Sequence, residues 1–111
     1  MKIKIGSTDY EMKKVSEDVI FDTLSANEEE RKNSSIAGCI HNFQTEILIN
    51  KEYSDQIKKQ TFWHEVLHGM LMEIGSDMNG DENFVNALSL QIYGVLKNNN
   101  LDRIYQYLEK N

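Results

Sequence analysis

The chain has 111 residues, 40% of them hydrophobic and 27% charged, and a net charge of −6. That length fits one domain, 1–111, with a small core. The acidic balance, with no basic stripe, excludes nucleic acid as the main partner. A single cysteine, Cys39, excludes an internal disulfide framework. The first residues lack the apolar centre of a signal peptide, and no apolar run reaches the length of a membrane span. The expected setting is therefore cytoplasmic, without a membrane.

In chain order, Lys2-Ile3-Lys4-Ile5 alternates with a period of two, the pattern of a half-buried strand. Gly6-Ser7-Thr8-Asp9 is turn chemistry, and Tyr10, Met12 and Val15 fit a returning strand. Val19–Leu24 is a short apolar piece. Ser25–Ser35, rich in Glu, Asn and Ser, reads as a connection that is either a solvated loop or an exposed helical turn. Residues 36–41 and 45–49 read as two strands joined by Asn42-Phe43-Gln44. In the second, Ile47 and Ile49 share one face, and Glu46 and Leu48 the other.

Ser54 or Asp55 can cap a long helix, about 55–74, with Trp63, Leu67, Met70, Leu71 and Ile74 as its apolar stripe. Gly75 is a natural stop. Asp81 can cap a second helix, about 82–97, with Phe84, Val85, Leu88, Ile92, Val95 and Leu96 facing inward. Asn98-Asn99-Asn100 breaks it. Leu101, Ile104, Tyr105 and Leu108 then suit a short terminal helix. Strands precede helices, so the expected class is α+β, with a small antiparallel sheet packed on the 55–74 helix.

Within that helix lies His64-Glu65-Val66-Leu67-His68. Residues four apart on a helix lie nearly one above the other, so both imidazoles can reach one metal ion. Glu65 sits beside them, placed to take a proton from a metal-activated water rather than to ligate. A catalytic zinc site needs a third protein ligand. Leu71 and Ile74 occupy the positions where the metzincin form carries Gly and His, which removes that form. A carboxylate from the next helix is the other solution. Glu82 fits best, with Asp81 and Glu73 as alternatives. Asn86, four residues after Glu82, is placed to orient one of the histidines.

The run Thr61-Phe62-Trp63-His64-Glu65-Val66-Leu67-His68-Gly69, the strand at Ile47-Leu48-Ile49 and the segment Glu82-Asn83-Phe84-Val85-Asn86-Ala87-Leu88 together resemble the small gluzincin-like metallopeptidases of the ImmA/IrrE type and their short phage and mobile-element relatives. The similarity covers roughly residues 36–97. It implies Zn2+ held by His64, His68 and Glu82, with Glu65 as general base and acid. It also implies that the strand before the active helix can hold an extended peptide. The implied partner is a protein or peptide substrate, of the repressor type in ImmA-like members.

Other residues are open to two readings. His41 and Tyr93 are candidates to stabilise a tetrahedral oxyanion, although turn or packing roles are commoner for such residues. Cys39 reads as a small core residue. Met70, Met72 and Met78 read as core filling, with an apolar substrate pocket as the alternative. Gly69, costly in a helix interior, suggests close approach of a neighbouring element. The leading expectation is a zinc metalloendopeptidase. The alternative is a non-catalytic zinc-containing interaction protein of a phage or mobile element on the same fold. Hydrolysis of another amide, such as a formyl group, ranks last, because the further glycine and cysteine motifs of deformylases are not evident.

Overall fold

The computed structural model describes residues 1–33 and 35–111. The chain forms β1 (Lys2–Ile5), β2 (Thr8–Val15), α1 (Glu17–Thr23), α2 (Glu28–Asn33), β3 (Gly38–His41), β4 (Glu46–Asn50), α3 (Asp55–Glu73), a short 3-10 turn (Asp77–Gly80), α4 (Glu82–Asn98) and α5 (Leu101–Glu109). The class is α+β. The four strands lie in the order β1-β2-β4-β3.

The sheet is mixed rather than antiparallel, which corrects the sequence expectation. The β1–β2 and β3–β4 pairs are antiparallel hairpins, but β2 and β4 run parallel, with Met12 opposite Ile47 and Lys14 opposite Ile49. The reason lies between the hairpins. Parallel neighbours need a crossover connection, and the segment read as a short apolar piece followed by a solvated loop or an exposed helical turn supplies it. It folds as α1 and α2, while Ser34 of that stretch lies outside the described residues. Arg31 of α2 pairs with Asp22 at 2.7 Å and lies over the Phe21 ring at 5.8 Å, which ties α2 to α1.

α1 covers one face of the sheet, burying Ile20 with Cys39 and Leu48. α3 covers the other, where Ile5, Tyr10, Ile47, Ile49 and Val66 form the main cluster. β4 is therefore apolar on both sides, as strands with both faces covered are. Its faces divide as the alternation predicts.

α3 begins at Ser54, whose hydroxyl accepts a hydrogen bond from Ile57 N at 3.3 Å. It ends where Gly75 takes a left-handed φ of 68°. Ser76 N then donates to Leu71 O, and Gly75 N to Met72 O, closing the last turn. Gly69 sits where a Cβ would meet Ile5 Cδ1 at 2.7 Å and Ile40 Cδ1 at 3.0 Å. Its missing side chain lets α3 lie close to β1 and β3.

The apolar stripes are covered unevenly. Leu67, Leu71 and Val85 are buried together between α3 and α4, flanked by Phe84 and Ile92. Ile74, Met70, Leu88 and Val95, expected to face inward, are exposed. α5 has no buried residue, and the molecule measures 60 Å along its longest axis. Among the described residues, no helix is long and apolar enough to cross a membrane.

Candidate metal centre

The third and fourth turns of α3 deliver His64, Glu65 and His68 to one place. Their ligand-type atoms all lie within 4.8 Å of one another. The two imidazole centroids are 4.9 Å apart. The reversal at Gly75 and the 3-10 turn then bring α4 back against α3, with Asp81 capping its first turn by accepting from Phe84 N at 3.0 Å. That cap points Glu82 at the histidines. Its carboxylate oxygens lie 3.2 Å from His64 Nε2 and 2.6 Å from His68 Nε2.

The alternatives to Glu82 are occupied elsewhere. Asp81 is the helix cap. Glu73 accepts from Ser7 N at 3.0 Å, Ser7 Oγ at 2.9 Å and Thr8 Oγ1 at 3.3 Å, pinning the β1–β2 turn to α3. Those bonds hold its carboxyl below the usual carboxylate range.

Two asparagines orient the rings. Asn79, in the 3-10 turn, lies with Oδ1 2.8 Å from His68 Nδ1. Asn86, one turn after Glu82, hydrogen-bonds His64. The spacing of Glu82 and Asn86 made the second legible in advance. Asn79 was missed, because a loop residue carries no periodicity; its signal was an Asn in the short reversal between the helix of the two histidines and that of Glu82.

This arrangement fits a divalent metal. With Nδ1 held by Asn79 Oδ1, His68 directs Nε2 at Glu82. The 2.6 Å between Nε2 and the carboxylate oxygen is a distance that a shared proton or a bound cation would bridge. Burial, the main influence, lowers the pKa of His64, and the charge of His68 lowers it further against the pull of Glu82. A neutral imidazole is the form that binds metal. Two nitrogens and one carboxylate beside an open cavity of about 430 Å³ match the donor set of catalytic zinc.

Glu65 differs from Glu82 in kind. Its residue is 5% exposed, against a side chain 68% exposed for Glu82. Burial pushes its carboxyl up to about 7, opposed by His68 and reinforced by Glu82. It lies in the wall of the same cavity, with Cys39, Ile40 and Met72. The Cys39 thiol is pushed up to about 11, by burial first and then by the charges of Glu65 and Glu46, so it stays protonated. Met72 faces the cavity while Met70 and Met78 are exposed, so core filling does not describe the three.

Compared with protein-family models, with curated proteins and with solved structures, the chain matches none.

The candidate oxyanion stabilisers are not brought to the site. His41 closes the β3–β4 hairpin, its Nδ1 accepting from Gln44 N at 3.2 Å. Tyr93 lies two turns beyond Asn86, with Lys97 Nζ 5.7 Å from its ring centre. Neither lines the cavities that hold His64 and Glu65.

Proposed function

We propose that the protein is a zinc-dependent peptidase, with His64, His68 and Glu82 holding the metal and Glu65 moving the proton. The observation that carries this reading is the Glu82 carboxylate set against both Nε2 atoms while a separate, buried carboxyl stands beside them. Bound zinc would supply a Lewis acid that polarises a carbonyl and acidifies a water. Glu65 takes a proton from the water as its oxygen attacks the carbonyl carbon. It returns that proton to the nitrogen as the carbon–nitrogen bond breaks. A carboxyl with a pKa near neutrality is matched to both halves of that transfer. Asn79 and Asn86 keep the imidazoles from rotating out of reach.

The substrate reading rests on β3. It is an edge strand, and Cys39 and Ile40 line the cavity beside the histidines. An extended peptide laid along that edge would place a backbone carbonyl next to Glu65. The substrate class is therefore a protein or peptide segment without regular structure, a repressor-type protein included.

The test loads the protein with zinc and counts metal per chain by elemental analysis. One zinc is expected, absent in His64→Ala and Glu82→Ala and kept in Glu65→Gln. Cleavage of a mixed peptide library by the parent but not by Glu65→Gln supports a peptidase. A second reading is a non-catalytic zinc protein that binds a partner through this fold. It is favoured by His41 and Tyr93 being engaged away from the cavity. One bound zinc with no cleavage by either protein selects it.

A further inference from the structure

On the sheet-and-α3 surface away from the metal centre lies a predominantly apolar groove of about 530 Å³. Its floor includes Ile3, Met12, Phe62 and Trp63. Its rim carries Lys14, Lys58 and Lys59. Lys58, its side chain 25% exposed, lies 3.6 Å from the exposed Asp55, and Lys14 and Lys59 have no acidic partner among the described residues. The groove is thus apolar below and cationic at the edge.

α5 has the complementary character. Leu101, Ile104, Tyr105 and Leu108 fall at positions i, i+3, i+4 and i+7 and form one stripe. Leu108 is 70% exposed and Tyr105 55% exposed. Asp102 and Glu109, seven residues apart, border that stripe on one side. Arg103 falls on the opposite face of the helix, and Lys110 lies just past its end in extended backbone. α5 is also held away from its own chain's core. Asn99 Nδ2 donates to Val95 O at 2.9 Å, and Asn100 caps α5 by accepting from Arg103 N at 3.1 Å. The break between α4 and α5 is hydrogen-bonded on both sides.

We infer that α5 of one copy docks in the Trp63 groove of a second copy, apolar stripe down and Asp102 and Glu109 toward the lysine rim. Each chain carries both the helix and the groove. A reciprocal exchange about a two-fold axis covers both pairs and leaves neither open, so the product is a closed dimer. Charge decides the occupant: the acidic border meets Lys14, Lys58 and Lys59, whereas two α5 helices packed antiparallel on each other would bring Asp102 and Glu109 against their own kind.

Trp63 is the only tryptophan in the chain, so its emission reports the groove directly. The full-length protein is followed by sedimentation and by Trp63 emission across a dilution series. The expected result is a dimer that dissociates on dilution, with Trp63 emission shifting to the red in step. The double substitution Ile104→Asp with Leu108→Asp, at residues exposed in one copy, weakens association roughly 100-fold or more. Lys14→Glu with Lys59→Glu weakens it as well, and adding Asp102→Lys with Glu109→Lys restores it. A monomer at all concentrations overturns the inference. So does a dimer indifferent to the α5 substitutions. A Trp63 shift that depends on α5 but not on concentration means the helix folds onto its own chain, and also overturns it.

Discussion

The two ends of α4 carry similar sequence and meet different fates. At its start, Phe84 and Val85 pack against Leu67 and Leu71, and the first turn holds Glu82 in place. At its far end, Val95 is 55% exposed, and the apolar stripe of α5 beyond it buries no residue fully. Helical periodicity tells which face is apolar, not what will lie against it. At the start the answer is α3, because the tight reversal through Gly75 and the 3-10 turn forces the two helices together. At the far end the stripe is left open, with Val95 exposed and no residue of α5 buried.

The largest effect expected at the packed end is chemical. Glu65→Gln keeps the shape of the buried side chain but cannot accept the proton. If the peptidase reading holds, turnover falls by about 10²–10⁴-fold at unchanged zinc content, measured as initial rates against elemental analysis. Ile104→Asp with Leu108→Asp, at the projecting end, leaves the rate per site unaltered. A parallel loss of rate in that variant would join the two ends functionally and break the contrast.

Packing gives the next effect. Leu71→Ala removes a side chain 8% exposed and should cost about 2–4 kcal/mol of unfolding free energy. Leu108→Ala should stay within about 0.5 kcal/mol when measured below the concentration at which copies associate. Urea unfolding of the two variants under one condition decides the matter. Equal losses would mean that α5 is covered in the single copy after all.

These effects explain why the sequence was easier to read at one end. The histidine pair and the placing of Asn86 one turn from Glu82 were legible because helical spacing converts directly into a shared face, whereas Glu82 meets the histidines only through the reversal between α3 and α4. The strands of both hairpins and the opposite faces of Ile47 and Leu48 were legible for the same reason, with a period of two. What could not be read was long-range. α1 shows no clear stripe in its seven residues, yet it turns the second hairpin parallel to the first. Asn79 acts through a loop, where position depends on the elements on either side. The exposure of Met70, Ile74 and Val95 depends on which element packs beside each helix face, and no local pattern encodes that.

A pH series separates the buried carboxyl from its neighbours. In metal-free protein, the folded-state pKa of Glu65 is about 7, above its ordinary 4.5. Below 4.5 both states hold the proton, and the favourable contribution is fully present. As pH rises toward 7 the unfolded chain releases the proton while the folded one keeps it, so stability is lost until the folded group also ionises. The loss is on the order of 1–3 kcal/mol. His64 acts in the opposite sense, because its lowered pKa contributes stability above its ordinary value that is lost on acidification. Subtracting the urea-unfolding profile of Glu65→Gln from that of the parent isolates the Glu65 part. A deficit of the parent relative to Glu65→Gln that does not shrink as pH falls from 8 to 5 would show that Glu65 is not ionising in a dry site.

The smallest effect concerns Asn79, and it probes how tightly the packed end is organised. Asn79→Ala removes the acceptor for His68 Nδ1 without touching a ligand atom. The ring keeps its place on α3 but loses what fixes its tautomer and rotation. Zinc affinity should fall by about 10–100-fold, with stoichiometry still one per chain, as read by competition with a chromogenic chelator. Asn86→Ala should act likewise through His64, and the double variant should lose roughly the product if the two rings are positioned independently. A double variant no weaker than either single one would mean that the rings move as a unit, held by their mutual contact at 4.9 Å rather than by separate asparagines. In that case the order at this end of α4 comes from the helix pair itself, and the hydrogen bonds from Asn79 and Asn86 only follow it.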